Sequence, residues 1–189
     1  MTHHALIVID HPNPGSLTHA LAARFALGAA QAGHTHEVAD LHAEGFDPRW
    51  RRDDMTSPPP QDVLVEQARI DRATVICLAY PLFWFGMPAM MKGWMDRVWT
   101  YGWAYDQVDD PHRSLQPDRI GVALIPAAGN PEGWAPHGFE GAMRTQLQTG
   151  MMGYFGMHDQ RVHLLAGSEG SDARRAGLLQ EAEDAGRTL

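Results

Sequence analysis

The run Tyr80-Pro81-Leu82-Phe83-Trp84-Phe85-Gly86-Met87-Pro88 is where this sequence is most suggestive of chemistry. Nine of the 16 aromatic residues lie between Tyr80 and Tyr105, against roughly two for even scatter. Three consecutive aromatics held between prolines make a stiff loop with flat apolar faces. Such a wall suits a flat ligand, provided a few polar groups fix its orientation. A source of polar groups stands upstream, where His11-Pro12-Asn13-Pro14-Gly15-Ser16 forms a turn running into a helical pattern. A helix N-terminus presents free N–H groups and a partial positive charge, which together suit an anion. The hydroxyls of Ser16 and Thr18, with His11, are the candidate donors, although the segment also reads as an ordinary connection. It has neither G-x-G-x-x-G nor Walker spacing. A third tight loop, Pro126-Ala127-Ala128-Gly129-Asn130-Pro131, completes the set.

Other chemistries find little support. There is no G-x-S-x-G and no evident cysteine–histidine pairing. The single cysteine, Cys77, lies in the apolar run Thr74 to Ala79 and reads as a buried hydrophobe, inert rather than activated. Among 11 histidines, the pairs His3-His4 and His34/His36 invite a metal reading. They lack neighbouring cysteines and recognisable ligand spacing, so they read as solvated and no metal is expected.

The elements that must carry these loops follow from periodicity. Apolar runs at Ala5–Ile9, Ala73–Ala79, Ile120–Ile125 and Arg161–Ala166 read as strands, with a shorter one at His36–Ala39. Leu17, Leu21, Phe25 and Ala29 mark a helix from Leu17 to Ala32, capped by Ser16 and ended by Gly33. Gln61–Arg72 reads as a helix with Leu64, Val65 and Ala68 inward. Pro88 opens another at its first turn, with Met90, Met91, Trp94, Met95, Val98 and Trp99 as an apolar stripe and Lys92, Asp96 and Arg97 off it. Phe139–Tyr154 and Ser171–Arg187 complete the helices, the last with Ala176, Leu179 and Ala182 marking its face. Asp40–Pro60 and Thr100–Asp118 read as long loops, the second containing Trp103, Tyr105 and the acidic pair Asp109-Asp110.

Alternating strands and helices imply a parallel sheet covered on both faces. In such folds ligands bind beyond the carboxyl ends of the strands. Loops 11–18, 80–88 and 126–134 follow the first, third and fourth strands at that rim, so they are expected to form one site. A phosphate-bearing flat ring, a flavin above all, fits an anion-friendly loop beside an aromatic one, and it would carry hydride chemistry itself.

Length and charge narrow the partners. With 189 residues, a single domain over 1–189 is the prior. A net charge of −8 argues against nucleic acid. No stretch approaches the roughly 20 apolar residues of a membrane span. Met1–Asp10 lacks the features of a signal peptide, so a cytoplasmic protein without membrane insertion is expected.

Pro81 to Ala89, with Lys92-Gly93-Trp94 and Arg97-Val98, resembles the signature of the flavodoxin-like NAD(P)H:quinone oxidoreductases. The opening His11-Pro12-x-Pro14-x-Ser16-Leu17 is similar to that family's first loop. Asp40-Leu41 followed by Phe46-Asp47-Pro48 also fits, so the likeness spans Ala5 to about Gly156. The resemblance implies a flavodoxin-like α/β sandwich: a five-stranded parallel sheet of order 2-1-3-4-5 with helices on both faces. It implies bound FAD, or alternatively FMN, with NAD(P)H as co-substrate and a quinone-like acceptor. It also implies a homodimer with active sites at the interface. His11, Ser16, Leu17 and Thr18 would surround the flavin phosphates. Pro81, Leu82, Phe83, Trp84 and Phe85 would line the ring, and Pro126, Ala127, Ala128 and Gly129 would close its other side. Tyr105, with Trp103 beside it, would contact substrate across the interface. The implied mechanism is ping-pong: NAD(P)H gives hydride to flavin N5 and leaves, and a quinone then takes it from the same face.

Two departures accompany the resemblance. Where family members carry a tyrosine and a histidine that compensate charge on the reduced flavin, Trp134 and Glu140 stand, with His137 close by as a substitute. A tryptophan donates one hydrogen bond but is no practical proton source, and an ionised carboxylate repels an anion. The chain also lacks the family's long C-terminal extension, which bears on the pyridine-nucleotide contacts. Two other readings compete: a flavin-binding regulatory accessory subunit of a potassium efflux system, and a one-electron carrier resembling flavodoxin.

Overall fold

Strands β1 (His4–Ile9), β2 (Thr35–Asp40), β3 (Val75–Ala79), β4 (Ile120–Ala127) and β5 (Asp159–Ala166) form one sheet of order β2-β1-β3-β4-β5. Every pairing is parallel. The structure is a computed structural model, and it describes residues 1–106 and 114–189. The pair Asp109-Asp110 lies outside the described residues.

Because side chains alternate across a strand, β1 sends Ala5, Ile7 and Ile9 to one face and Leu6 and Val8 to the other. On the first face, helices α1 (Leu17–Gln31) and α6 (Asp172–Arg187) cover the sheet with Leu21, Phe25, Leu178 and Ala182. On the second, α2 (Gln61–Arg72), α3 (Ala89–Val98) and a later helical stretch enclose Ile70, Met91, Trp94, Val98, Leu147 and Phe155. The central strands β1, β3 and β4 are therefore buried on both sides, which explains their near-continuous apolar runs, while the edge strands β2 and β5 are more exposed.

α1 follows its sequence signals. The Ser16 hydroxyl accepts the His19 N–H at its start. Its end is a Schellman motif, in which His34 N–H bonds to the Ala29 carbonyl and Gly33, at φ +83°, bonds to Ala30. The crossing of α1 with α6 is unusually close. A Cβ on Gly28 would fall 1.9 Å from the Glu183 carbonyl oxygen, and one on Gly186 would fall 2.1 Å from that of Phe25.

Several expectations are corrected. α2 buries Val63, Glu66, Gln67 and Ile70, while Val65 and Ala68 face outward. Glu66 and Gln67 go inside because they have partners: Trp94 Nε1 donates to Glu66 at 2.9 Å, and Gln67 Nε2 donates to the Val98 carbonyl at 2.9 Å. On α6 the buried face is Leu178, Ala182, Ala185 and Gly186, with Ala176 exposed. Pro88 is the N-cap of α3 rather than its first-turn residue.

Arg97, placed off the apolar stripe by its charge, is fully buried. It pairs with Asp54 at 2.9 Å and Asp62 at 2.7 Å, donates to the Asp47 carbonyl at 2.7 Å, and lies 5.2 Å from the Phe46 ring. These bonds pin the 40–60 segment, which contains a short 3₁₀ turn at Arg52–Met55, onto α3.

The single helix expected over Phe139–Tyr154 is instead α5 (Phe139–Arg144) continued by a π-helical stretch, Thr145–Gly153. A short helix α4 (Pro131–Trp134) precedes it. Local chemistry favours the wider turn. Thr145 Oγ1 bonds back to the Gly141 carbonyl at 2.9 Å, and a Cβ on Gly153 would press to 3.0 Å on the carbonyl of Gln148, five residues earlier. Among the described residues no helix is long and apolar enough to cross a membrane.

Candidate functional site

At the carboxyl rim of the sheet, all three peculiar loops meet. A cleft of about 230 Å³ is lined by His11, Leu17 and Thr18 from the first, Pro81, Leu82 and Phe83 from the second, and Pro126 and Ala128 from the third. Ser168 and Glu169, which follow β5, complete it. Sequence reasoning missed these two, although Gly167-Ser168-Glu169-Gly170 is a turn of the same kind at the same rim.

The polar side of the cleft offers donors. Thr18 is 2% exposed, and its hydroxyl has no hydrogen-bond partner among the described residues. Leu17 and Thr18 also occupy the first turn of α1, where backbone N–H groups have no intrahelical acceptor. His11 Nδ1 accepts the Asn13 N–H at 3.1 Å. That bond leaves Nε2 to carry the proton of the neutral ring, so His11 is held as a donor. Unpartnered donors at a helix N-terminus suit a phosphoryl group.

The aromatic loop has a strained backbone. Phe83 and Gly86 exchange both backbone hydrogen bonds, at 3.1 and 2.9 Å, which closes a two-residue hairpin over Trp84 and Phe85. Both central residues are left-handed, with φ of 51° and 59°. This is the type I′ pattern that ordinarily takes Asn-Gly. Large aromatics there are strained, and such strain concentrates at functional sites. The Trp84 side chain stands free, 99% exposed. Phe85 stacks on Phe139 at 4.0 Å and meets Trp134 edge-on at 6.0 Å. Behind the loop, Asp10 at the end of β1 accepts the Met91 N–H at 2.8 Å and pairs with His42 at 2.9 Å. A buried carboxylate thus caps α3 and ties the start of that helix, just after the hairpin, to the end of β1.

Trp134, His137 and Glu140 gather at the rim beside Phe85 and Phe139, and they do not line the cleft. The Trp134 indole lies near Gly129, whose φ of +77° is the left-handed conformation that favours a glycine. His137 is exposed, with its ring 5.3 Å from that of Phe139. Glu140 is paired with Arg144 at 2.8 Å, so its negative charge is partly balanced. Ala127 is buried at the strand end, where its carbonyl accepts the Ser168 N–H at 3.0 Å and ties the third loop to the turn after β5. Ser16 faces a neighbouring hollow of about 450 Å³ with His19 and Val38.

Tyr105 and Trp103 are not brought to the cleft within one chain. Tyr105 lines a separate cavity of about 340 Å³ with Lys92, Trp99, Tyr154 and Phe155. Trp103 packs on Phe155 with ring centroids 6.0 Å apart. Cys77 is buried, and burial pushes its thiol well above the ordinary range, which makes it unreactive. Among the described residues no three His, Cys, Asp or Glu side chains are grouped to hold a metal ion.

A family model described as a flavodoxin-like fold matches residues 3–189. An NAD(P)H:quinone oxidoreductase from Methanothermobacter marburgensis superposes with a TM-score of 0.91 at 31% identity, covering 100% of both chains. A ribosyldihydronicotinamide dehydrogenase [quinone] of Rattus norvegicus is 28% identical over 92% of this chain and 86% of its own length. An FMN-dependent NADH-azoreductase from Bacillus anthracis, solved in complex with FMN, shares the fold with a TM-score of 0.76 at 16% identity over 98% of this chain and 99% of its own.

Proposed function

This chain belongs to the flavodoxin-like family that includes NAD(P)H:quinone oxidoreductases, and from that membership we propose a flavin-dependent enzyme acting on NAD(P)H and quinone-like acceptors. The observation that carries the reading is the cleft itself: one loop of unpartnered donors, one aromatic loop and one glycine-bearing loop on a single rim. A flavin held there, FAD or FMN, would supply two-electron chemistry between the two substrates.

The chain's own residues bind and orient. Thr18, the first-turn N–H groups of α1 and His11 hold the phosphate, and Ser16 caps the turn that presents them. Leu82, Phe83 and the strained hairpin would line one side of a bound ring, and Pro126, Ala128 and Gly129 the other. Trp134 Nε1 and His137, on the rim beside Phe85 and Phe139, would be the candidate donors toward a bound flavin. Arg144 partly balances the Glu140 charge, so that this carboxylate would oppose a nearby anionic group less.

A homodimer completes the site. Trp50, Met55 and Tyr101 are exposed apolar side chains on one groove shared with Trp99 and Tyr105. A second copy would cover that groove and bring Tyr105 and Trp103 toward the partner's cleft.

The test is direct. The purified protein is expected to be yellow, to release FAD or FMN on heating, and to oxidise NADH or NADPH with a quinone as acceptor. A colourless protein that neither flavin nucleotide reconstitutes would overturn the reading. Bound flavin with negligible quinone turnover would favour a regulatory role instead.

A further inference from the structure

Ser16, His19 and Asp40 form a hydrogen-bonded line beneath the first loop. Ser16 Oγ lies 2.9 Å from His19 Nδ1, and His19 Nε2 lies 2.9 Å from one Asp40 carboxylate oxygen. The other Asp40 oxygen accepts the backbone N–H groups of His42 and Ala43. The side chains of His19 and Asp40 are 15% and 21% exposed, so the line is largely shielded. The other ionisable groups around His19 are His11, with its ring 6.3 Å away on the first loop, and, beyond Asp40, the His42–Asp10 pair joining the end of β2 to the end of β1.

Donor and acceptor logic fixes two states of this line. A carboxylate only accepts, so Nε2 carries a proton in both. When His19 is neutral, Nδ1 is bare and takes the one hydroxyl hydrogen of Ser16. Ser16 then has nothing to donate to a ligand, and its oxygen already accepts the His19 N–H at 3.3 Å. When His19 is protonated, Nδ1 donates to Ser16 Oγ instead. The hydroxyl hydrogen is then released from His19 and available to a ligand at the N-terminus of α1, which Ser16 caps. A positive charge also arrives at the N-terminal end of α1.

We propose that His19 and Asp40 are positioning residues that set Ser16 as a phosphate donor, so that occupancy of the α1 N-terminus by the flavin's phosphate is coupled to a proton on His19. This rests on the flavin reading above. The linkage runs both ways: a bound phosphate favours the imidazolium, and the imidazolium tightens the phosphate. Asp40 suits the task. Burial would raise its carboxyl, but the hydrogen bonds from His19 and from the Ala43 and His42 N–H groups outweigh this and hold it below the usual range. It therefore stays ionised where a histidine titrates. A serine–histidine–aspartate line also suggests nucleophilic chemistry. Ser16 is poorly suited to that, because attack would uncap α1.

The experiment measures FAD binding to apoprotein from pH 5 to 9 by quenching of flavin fluorescence, with riboflavin as the phosphate-free control. FAD is the chosen probe because its diphosphate has no proton to lose in that window, whereas the phosphate monoester of FMN titrates near pH 6. The wild-type Kd for FAD is expected to rise by about tenfold as pH rises through the His19 midpoint, which corresponds to a one-unit difference in pKa between free and bound protein. H19Q should lose that component while keeping any contribution from His11, and D40N should move the midpoint to lower pH. Superimposable wild-type and H19Q curves would overturn the proposal, as would an equal pH effect on riboflavin. If FAD binds at no pH, the flavin reading fails separately. NMR titration of the His19 ring, with and without inorganic phosphate, then decides the linkage: a midpoint raised by phosphate supports it, and an unmoved midpoint refutes it.

Discussion

Trp84 is the residue whose conformation and chemistry pull hardest against each other. Its ring is free of packing, yet its backbone sits in the left-handed region, where a side chain costs about 1–2 kcal/mol. Trp84→Asn should therefore stabilise the fold by about 1 kcal/mol in urea unfolding while weakening flavin binding. A loss of stability would mean that the ring packs on something in solution. Thr18→Val tests the opposite side of the cleft. It removes a hydroxyl with no internal partner, so stability should hold, while FAD affinity should fall by about 1.5 kcal/mol and riboflavin affinity should not change. Equal losses for both ligands would separate Thr18 from the phosphate. That His11, Thr18 and the aromatic run converge on one cleft was legible in the sequence, because each lies in a loop at the carboxyl rim. Ser168, Glu169, Asp10 and Arg144 were not. Asp10 gains its role from a neighbour brought up by the fold, the α3 amide that it caps from 81 positions away, whereas Ser168 and Glu169 sit in a turn and Arg144 in an i,i+4 pair whose importance shows only once the rim is assembled.

Among the elements, α3 depends most on what lies beneath it. The apolar stripe was readable from periodicity, but the burial of Arg97 was not, since charge argues for the surface and its partner Asp54 comes from a loop. Arg97→Met should cost about 3–5 kcal/mol, because it leaves Asp54 buried without a counter-ion. Urea unfolding would measure this, and proteolysis should first cut the freed 40–60 segment. Acid should act on the same joint. Arg97 hydrogen bonds hold Asp62 below the usual carboxylate range; for Asp54 burial pushes upward, but the Arg97 bonds outweigh it. Both folded values are depressed, so their contribution is complete above the unfolded value of about 3.9 and is lost as pH falls through the folded values. The segment should therefore loosen below about pH 4, with Arg97→Met much less sensitive. Equal acid sensitivity in the two proteins would remove this pair as the cause. The π-helical stretch was likewise hidden from periodicity, since Thr145 and Gly153 matter there for backbone geometry rather than for which face they present.

For the molecule as a whole, the strand order was implied only by the family resemblance, whereas the layering was legible because buried parallel strands are written as continuous apolar runs. What holds the layers was less so, and nowhere less than at the contact of α1 with α6. Gly28→Ala should force the two helices apart and cost about 2–3 kcal/mol, read as a lower Tm. An unchanged Tm would mean the helices slide past each other without penalty. That crossing has a bearing on biogenesis. The helix whose first turn presents the ligand's anchor is clasped by a segment synthesised more than a hundred residues later. A nascent chain on the ribosome therefore carries α1 with its glycine–alanine flank bare until translation has moved past Gly186.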